Sequence, residues 1–339
     1  MIAVIVIHYK AIDVTLACLE SLQKNAGCPF HLFVVANESD EDSQNKLNAF
    51  IAPLQDSATL IINCKNIGFA AGCNQALEII ISDPAYQGVA LLNNDTLVAP
   101  GWLSNMSAHL LPEKKVDMVA SQMLVAGSAN TIDSLGIVFY KTGIGSNRKD
   151  ITEPMIGPCG GAALYSSAML RHLREVAGYC FDEDFFCYAE DTDLALRARA
   201  LGYDCAFARE AIVYHYGSHA SGGSNNTFVA YYGLRNSLFA LIKNLPSEFL
   251  ARNIFWIFSM QIAVTVKYIL KRKPKLIFSV YADFLHKLPR ILKQRAQLKQ
   301  HSDWKPIDWR MLTSRRFYEL GYIGFSLRTL LHMNMRDAS

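Results

Sequence analysis

Val89-Ala90-Leu91-Leu92-Asn93-Asn94-Asp95-Thr96 decides the fold: four apolar residues stop abruptly in two amides and a carboxylate. A short apolar run closed by turn-forming residues reads as a buried strand. Working outward to the N-terminus, the same pattern recurs at residues 2–7, 31–36 and 59–63. Between these runs, apolar residues at helical spacing predict helices at 14–24, after the polar opening 37–44, and at 70–81. Strands alternating with helices imply βαβ units and a mostly parallel sheet. Such sheets bind ligands beyond the carboxyl ends of their strands, which selects the loops after Ile7, Val35 and Leu92.

Beyond Thr96 the pattern loosens. Residues 116–161 read as irregular strands, with glycines at 127, 136, 143, 145, 157, 160 and 161. The run 162–176 reads as a helix, 182–193 as an acidic and aromatic loop, 193–201 as a helix closed by Gly202, and 203–214 as a last strand pair ending at His215. From about residue 236 helices with one apolar and one basic side take over. The expected organisation is a domain over 1–238 and a basic amphipathic helical region over 239–339.

With 339 residues there is ample chain to bury a core. A composition that is 51% hydrophobic and 19% charged excludes a largely disordered chain. The 33 Lys+Arg nearly balance 30 Asp+Glu, yet residues 241–301 hold 12 Lys+Arg against two acids, Glu248 and Asp283, so the body before them is acidic. Eight cysteines without a CxxC pair or metal-finger spacing read as thiols of a reducing compartment. The opening Met1-Ile2-Ala3-Val4-Ile5-Val6-Ile7-His8 has no basic leader and reads as a first strand, which places the expected protein in the cytoplasm.

Three polar clusters fall at strand ends or loops. Asp95 could hold a hard divalent cation through its oxygens, or close a plain turn with Asn93 and Asn94. In Phe185-Phe186-Cys187-Tyr188-Ala189-Glu190-Asp191-Thr192-Asp193 the acids can cap the helix that follows. Capping does not account for the aromatics, which would desolvate a carboxylate and raise its pKa as a general base requires. His215, in Tyr214-His215-Tyr216-Gly217-Ser218-His219 and ahead of a flexible stretch at 220–226, is either a packed histidine or a metal or phosphate ligand. Asn66-Ile67-Gly68-Phe69-Ala70-Ala71-Gly72 opens a helix whose N–H groups could approach a nucleotide. Neither GxGxxG after the first strand nor GxxxxGK[ST] occurs, which counts against a nicotinamide enzyme and a P-loop ATPase. His8-Tyr9-Lys10, with one lysine and no glycine, counts against a nucleotidyltransferase.

Taken in order, Val34-Val35-Ala36-Asn37-Glu38-Ser39, the 66–72 segment, Leu92-Asn93-Asn94-Asp95-Thr96, Cys159-Gly160-Gly161-Ala162, Phe181-Asp182-Glu183-Asp184-Phe185-Phe186, Glu190-Asp191-Thr192-Asp193-Leu194 and His215 resemble the family 2 glycosyltransferases. The resemblance covers roughly residues 1–240 and is nearest to the rhamnosyltransferase-like enzymes of bacterial surface polysaccharide synthesis. Arg235-Asn236 and Leu288-Pro289-Arg290 also resemble that subgroup. It implies an α/β glycosyltransferase A-type fold with a C-terminal helical extension, a nucleotide-diphosphate-sugar donor, Mg²⁺ or Mn²⁺, and inversion at the anomeric carbon. It implies Asp95 and His215 at the metal, Asp191 as catalytic base with Glu190 as the fallback, and Asn37, Asn66, Gly68, Asn94, Asp95, Gly160 and Gly161 around the donor. Two positions depart from the family pattern. Asn93 stands at the first acidic position of the metal element, and Ala36 stands where an Asp usually helps bind the nucleoside. Ala36 motivates the alternative of a non-catalytic sugar-nucleotide-binding or membrane scaffold relative.

In the C-terminal third, residues 254–270 are 17 mainly apolar positions interrupted by Ser259, Gln261, Thr265 and Lys267. That is the short limit for a membrane-spanning helix, so an interfacial or core helix is expected. Lys271-Arg272-Lys273-Pro274-Lys275, then Lys287, Arg290, Lys293 and Arg295 among apolar residues, suit an anionic membrane surface at ~1 kcal/mol per cation. The alternative is a solvated basic face whose apolar side packs on the body. No nucleic-acid module accompanies the charge. The expected setting is the inner face of the cell membrane, with a glycan or polyprenyl-linked glycan as acceptor.

Overall fold

The computed structural model describes residues 1–128, 130–217, 226–302 and 307–319. In chain order the elements are β1 (Ile2–His8), α1 (Ile12–Asn25), β2 (Phe30–Asn37), α2 (Glu41–Ile51), β3 (Ala58–Asn63), α3 (Phe69–Ser82), β4 (Gly88–Asn93), β5 (Thr96–Val98) and α4 (Trp102–Ala108). There follow β6 (Val116–Val125), β7 (Ile132–Ser134), β8 (Ile137–Tyr140), β9 (Gly145–Asn147), β10 (Ala162–Ser166), α5 (Ser167–Ala177), α6 (Glu190–Ala200) and β11 (Asp204–His215). The chain continues through α7 (Thr227–Asn244), α8 (Ser247–Leu270), α9 (Pro274–His301) and β12 (Thr313–Ser314).

The expected α/β class is what forms. The main sheet runs β3-β2-β1-β4-β10-β6-β11-β5, with β7 on β6. Its first four strands are parallel, and from β10 the sheet is mixed, because β10 runs antiparallel to both β4 and β6 while β11 is parallel to β6. Alternation along each strand serves the two faces. Val4, Val6, Leu32 and Val34 pack with Leu19, Leu22 and Trp102 from α1 and α4. Ile5, Phe33, Val35 and Leu91 pack on the other side with α3, α5 and α6.

Three expectations need correction. Residues 162–166 form the central strand β10 and not the start of a helix; all five are buried, and Ala-Ala-Leu shows no period that separates strand from helix. The helix begins only at Ser167, where the Ser166 hydroxyl caps it by accepting from the Met169 N–H at 3.1 Å. Helix α6 begins at Glu190 and not at Asp193, so Glu190, Asp191 and Asp193 all lie in its first turn. The expected last strand pair is one long strand, β11, whose register slips between Ala208 and Ile212.

Helix α7 runs through residue 238 without a break, and segment 307–319 returns to pair β12 with β8. Helix α8 spans 24 residues, longer than the apolar run suggested, and only Phe249 and Met260 are buried. It is therefore not a core helix.

Candidate active site

The turn after β4 carries Asp95, and β5 then pairs antiparallel with the end of β11, placing His215 opposite Thr96. The pairing brings His215 Nε2 to 3.2 Å from Asp95 Oδ1. On the other side of the ring, Nδ1 lies 2.7 Å from Asp133 Oδ2 in β7. Burial disfavours the imidazolium, but the hydrogen bonds and charges of Asp133 and Asp95 outweigh it and raise the pKa to about 9. Among the described residues no three metal-ligating side chains converge. Two donors nevertheless fit a hard cation: 3.2 Å is close to the ~3 Å edge of an octahedral shell with ~2.1 Å bonds. Phosphate oxygens and water would complete such a shell.

Gly160 and Gly161 form the seam between this turn and the acidic helix. Asn93 N–H donates to the Gly161 carbonyl at 2.9 Å, and Gly160 N–H donates to Asp191 Oδ2 at 2.9 Å. A Cβ on Gly160 would stand 3.3 Å from that of Asp191, and one on Gly161 3.0 Å from Met123, so only the smallest residue closes the seam without displacement. Asp191 Oδ1 also accepts from the Thr192 N–H at 2.6 Å. Two backbone donors thus orient its carboxylate; the Thr192 hydroxyl also donates to Oδ1 at 3.3 Å, which leaves the second lone pair of Oδ2 for a substrate proton. Burial pushes both Glu190 and Asp191 up, with their mutual repulsion adding to the effect on Glu190. Asp191 is the more exposed of the two. Glu190 is buried, and its Oε2 has no partner among the described residues.

The loop leading into α6 is strained: Phe186, Tyr188 and Ala189 all have positive φ, at 62°, 68° and 64°. Such residues cost about 1–3 kcal/mol each and persist only when neighbours hold them. Asn236 does so from α7, donating to the carbonyls of Phe185, Cys187 and Tyr188 at 2.7–2.8 Å. Arg235 reaches the Asp184 carbonyl and pairs with Asp283. The sequence marked Arg235-Asn236 only through its resemblance; no local pattern tied it to this loop.

Beneath the loop, Lys243 Nζ lies 2.7 Å from both Asp182 and Asp193, and Arg197 lies 2.9 Å from Asp193. All four side chains are buried. Burial alone would raise Asp182; Lys243 overrides it and holds the carboxyl down at about 2. Removing one partner from a buried pair typically costs 3–5 kcal/mol, because the other charge stays buried. Farther out, Lys287 and Arg290 of α9 pair with Asp184 at 3.0 and 2.9 Å. The acidic body and the basic C-terminal region therefore meet directly at these two side chains, Lys287 half-buried and Arg290 still largely exposed.

At the other edge of the cleft, Asn37 ties down the glycine loop. Its Oδ1 accepts from Ile67 N–H at 3.0 Å, and its Nδ2 donates to Asn66 Oδ1 at 3.0 Å and to the Gly68 carbonyl at 3.2 Å. Gly68, at φ 89°, lies so close to Phe186 that a Cβ would come within 2.6 Å of its ring and carbonyl. Asn94 donates to Thr15 Oγ1 at 2.9 Å, which also contacts His8 Nδ1 at 2.8 Å. His8 Nε2 has no partner among the described residues. Its Cα partner across the β1–β2 register is Ala36, which is fully buried. Sequence reasoning missed Asp133, Thr15 and His8 as site residues, since each acquires its role through a distant partner. His219 and residues 220–225 lie outside the described residues.

A family model described as glycosyltransferase like family 2 matches residues 1–233. Among solved structures, S. aureus TarS 1-349 in complex with UDP-GlcNAc superposes with a TM-score of 0.59 at 15% identity, over 93% of each chain. A mannosyltransferase from Pyrobaculum calidifontis, in complex with GDP-Man and Mn²⁺, gives 0.53 at 15% identity, over 88% of this chain and 85% of that one. GalNAc-T7 with UDP, GalNAc and Mn²⁺ gives 0.58 at 11% identity, over 86% of this chain and 57% of that one. Against the longer TarS structure, this chain spans only 54% of the relative's length. No curated protein sequence gives a match. The family match spans the segments that carry Asp95, Gly160, Gly161, Glu190, Asp191 and His215: the chain belongs to glycosyltransferase like family 2.

Proposed function

We propose that this protein is an inverting glycosyltransferase that moves a sugar from a nucleotide-diphosphate-sugar to a hydroxyl of a glycan acceptor, polyprenyl-linked, in cell-surface polysaccharide synthesis. Rhamnose is the sugar suggested by the subgroup resemblance. The observation that carries the reading is the seam of Gly160 and Gly161, which joins an anchored carboxylate, Asp191, to the turn bearing Asp95, with His215 of β11 beside it.

In this reading Asp191 takes the proton of the acceptor hydroxyl as its oxygen bonds to the anomeric carbon. The bond from that carbon to the diphosphate oxygen breaks on the opposite face, which inverts the centre. A base within hydrogen-bond reach contributes roughly 10²–10⁴-fold. Gly160 and Thr192 N–H groups fix the direction of the Asp191 carboxylate beforehand. Asp95 and His215 would hold Mg²⁺ or Mn²⁺, which when bound neutralises charge on the leaving diphosphate. Two of the similar structures contain Mn²⁺.

The same reading puts the protein on the inner face of the cell membrane, with region 239–339 as its attachment; residues 320–339 lie outside the described residues. Phe255, Phe258, Ile262, Val266 and Ile269 form an exposed stripe at helical spacing on α8, with Phe255 69% and Phe258 65% exposed. By length and composition α8 is also the one described helix that could cross a membrane. A stripe lying in the interface, beside Lys267, Lys271, Arg272, Lys273 and Lys275, agrees better with its charged end.

The test is nucleoside diphosphate release by purified protein across a panel of nucleotide sugars, with Mg²⁺, Mn²⁺ or EDTA, and with or without polyprenyl-linked glycan. Release from one donor that EDTA abolishes is the expected result. Donor binding without release, even with lipid acceptor, would overturn the transferase reading and favour a binding module with Ala36 as its mark.

A further inference from the structure

A cavity of about 800 Å³ opens where the first turns of α7 meet the turn between α8 and α9. Thr227, Phe228 and Tyr231 line it from α7, Arg272 and Lys273 from the turn, and Lys275 from the start of α9. Lys273 Nζ reaches Thr227 Oγ1 at 3.3 Å, closing the two walls together. No carboxylate lines the cavity among the described residues. The chain itself carries no acid from Phe249 to Ala282. The nearby Asp283 is engaged by Tyr231 and Arg235.

Two neighbours give this cationic cavity a direction. On one side lies the end of α8, where Ile269 and Leu270 are 52% and 57% exposed and finish the apolar stripe. On the other side, Phe228 contacts the rings of Phe186 and Tyr188 at 6.1 and 6.5 Å, and Tyr232 stacks on Phe186 at 5.2 Å. The aromatic wall thus continues into the loop that delivers Glu190 and Asp191. A soluble anion has no use for the apolar stripe, and a plain membrane surface needs no cavity. A lipid with a phosphate headgroup satisfies both, with charge-assisted hydrogen bonds from the three cations.

We infer that this cavity binds the phosphate headgroup of a lipid and is the acceptor-lipid site of the transferase, an assignment whose acceptor role rests on the function proposed above. The headgroup would sit against Arg272, Lys273 and Lys275, with its isoprenoid or acyl chain along α8 and its glycan toward Asp191.

The test is binding of farnesyl diphosphate and of inorganic diphosphate to the whole protein, by calorimetry. The wild type is compared with Arg272→Ser/Lys275→Ser and with Lys293→Ser/Lys299→Ser, which removes two exposed cations elsewhere on α9. Farnesyl diphosphate is expected to bind saturably and more tightly than inorganic diphosphate, and the first double variant to weaken it at least about tenfold while the second does not. Absence of saturable binding, equal loss in both double variants, or inorganic diphosphate binding as tightly as farnesyl diphosphate each overturns the site. Anionic phosphatidylglycerol vesicles that lose affinity equally for the two double variants, with farnesyl diphosphate still discriminating between them, support a headgroup cavity separate from general membrane attraction. Donor release measured in parallel separates the two ideas. Release without farnesyl diphosphate binding removes the cavity and leaves the transferase, whereas discriminating binding without release leaves a lipid-phosphate site and removes its acceptor role.

Discussion

Asp133 Oδ2 lies 2.7 Å from His215 Nδ1, across 82 positions of sequence, and this bond turns Nε2 toward Asp95. A carboxylate behind a ligating imidazole fixes its orientation and raises its basicity, and removing such a partner typically weakens metal binding about 10–100-fold. Asp133→Asn is therefore expected to weaken Mn²⁺ affinity by that order, with donor affinity in EDTA unchanged. Because His215 holds a proton up to about 9 that a cation at Nε2 must displace, wild-type Mn²⁺ affinity should also rise with pH toward that value. Metal titrations of both proteins check the two expectations, and unchanged Mn²⁺ affinity in Asp133→Asn would remove Asp133 from the site.

The adjacent carboxylates are separable by their surroundings. Asp191→Asn should cut turnover by roughly 10²–10⁴ with donor binding intact, since a base is lost but no donor contact. Glu190 holds its proton up to about 8 in the folded state, against 4.5 when unfolded. The native state then binds more protons in that window, so its contribution to stability is full below about 4.5 and fades as pH rises through about 8. Glu190→Gln keeps a neutral group and should flatten that part of the stability profile. Urea unfolding at pH 5 and pH 8.5 decides the matter; an unchanged slope would count against a protonated Glu190.

Asn236 is expected to act on catalysis from outside the chemistry. Replacement by Leu removes the amide donor that three carbonyls of a strained loop share; the Phe185 carbonyl keeps the Cys187 N–H at 2.7 Å, and each buried carbonyl that loses its donor costs about 1–3 kcal/mol. The expected result is a lower kcat with KM for donor nearly unchanged, together with a lower unfolding midpoint. Equal kcat in a destabilised protein would make Asn236 a packing residue alone.

Helix α8 gives a prediction about place. Phe255→Ser, Phe258→Ser and Ile262→Ser together remove three exposed apolar groups, and vesicle partitioning should fall on the order of a hundredfold. Cosedimentation with anionic vesicles measures it, and donor release in solution should persist. Full cosedimentation of the triple variant would end the membrane assignment for this stripe.

Much of the amino half was legible because its signals are local. Residues 2–7, 31–36 and 89–92 carry apolar runs closed by polar residues, and each became a strand within a residue or so of its expected ends. The pair Glu190-Asp191 likewise stood out by its acidic and aromatic surroundings, whereas Gly160 and Gly161 were marked only by the family resemblance. The strand 162–166 did not, since two alanines and a leucine fit either period until β4 and β6 flank them.

By itself the sequence determined the α/β class, the order of the site segments along the chain, and the opposite charge of body and C-terminal region. These depend on residue type and short-range spacing, which are properties of the unfolded chain. Only the tertiary structure decided that Asp133 backs His215, that Asn236 holds the loop before α6, and that Lys287 and Arg290 pair with Asp184. Each joins elements tens of residues apart. A hydrogen bond or ion pair acts only over a few ångströms, so its partner is set by how sheet and helices pack and not by the sequence around either residue.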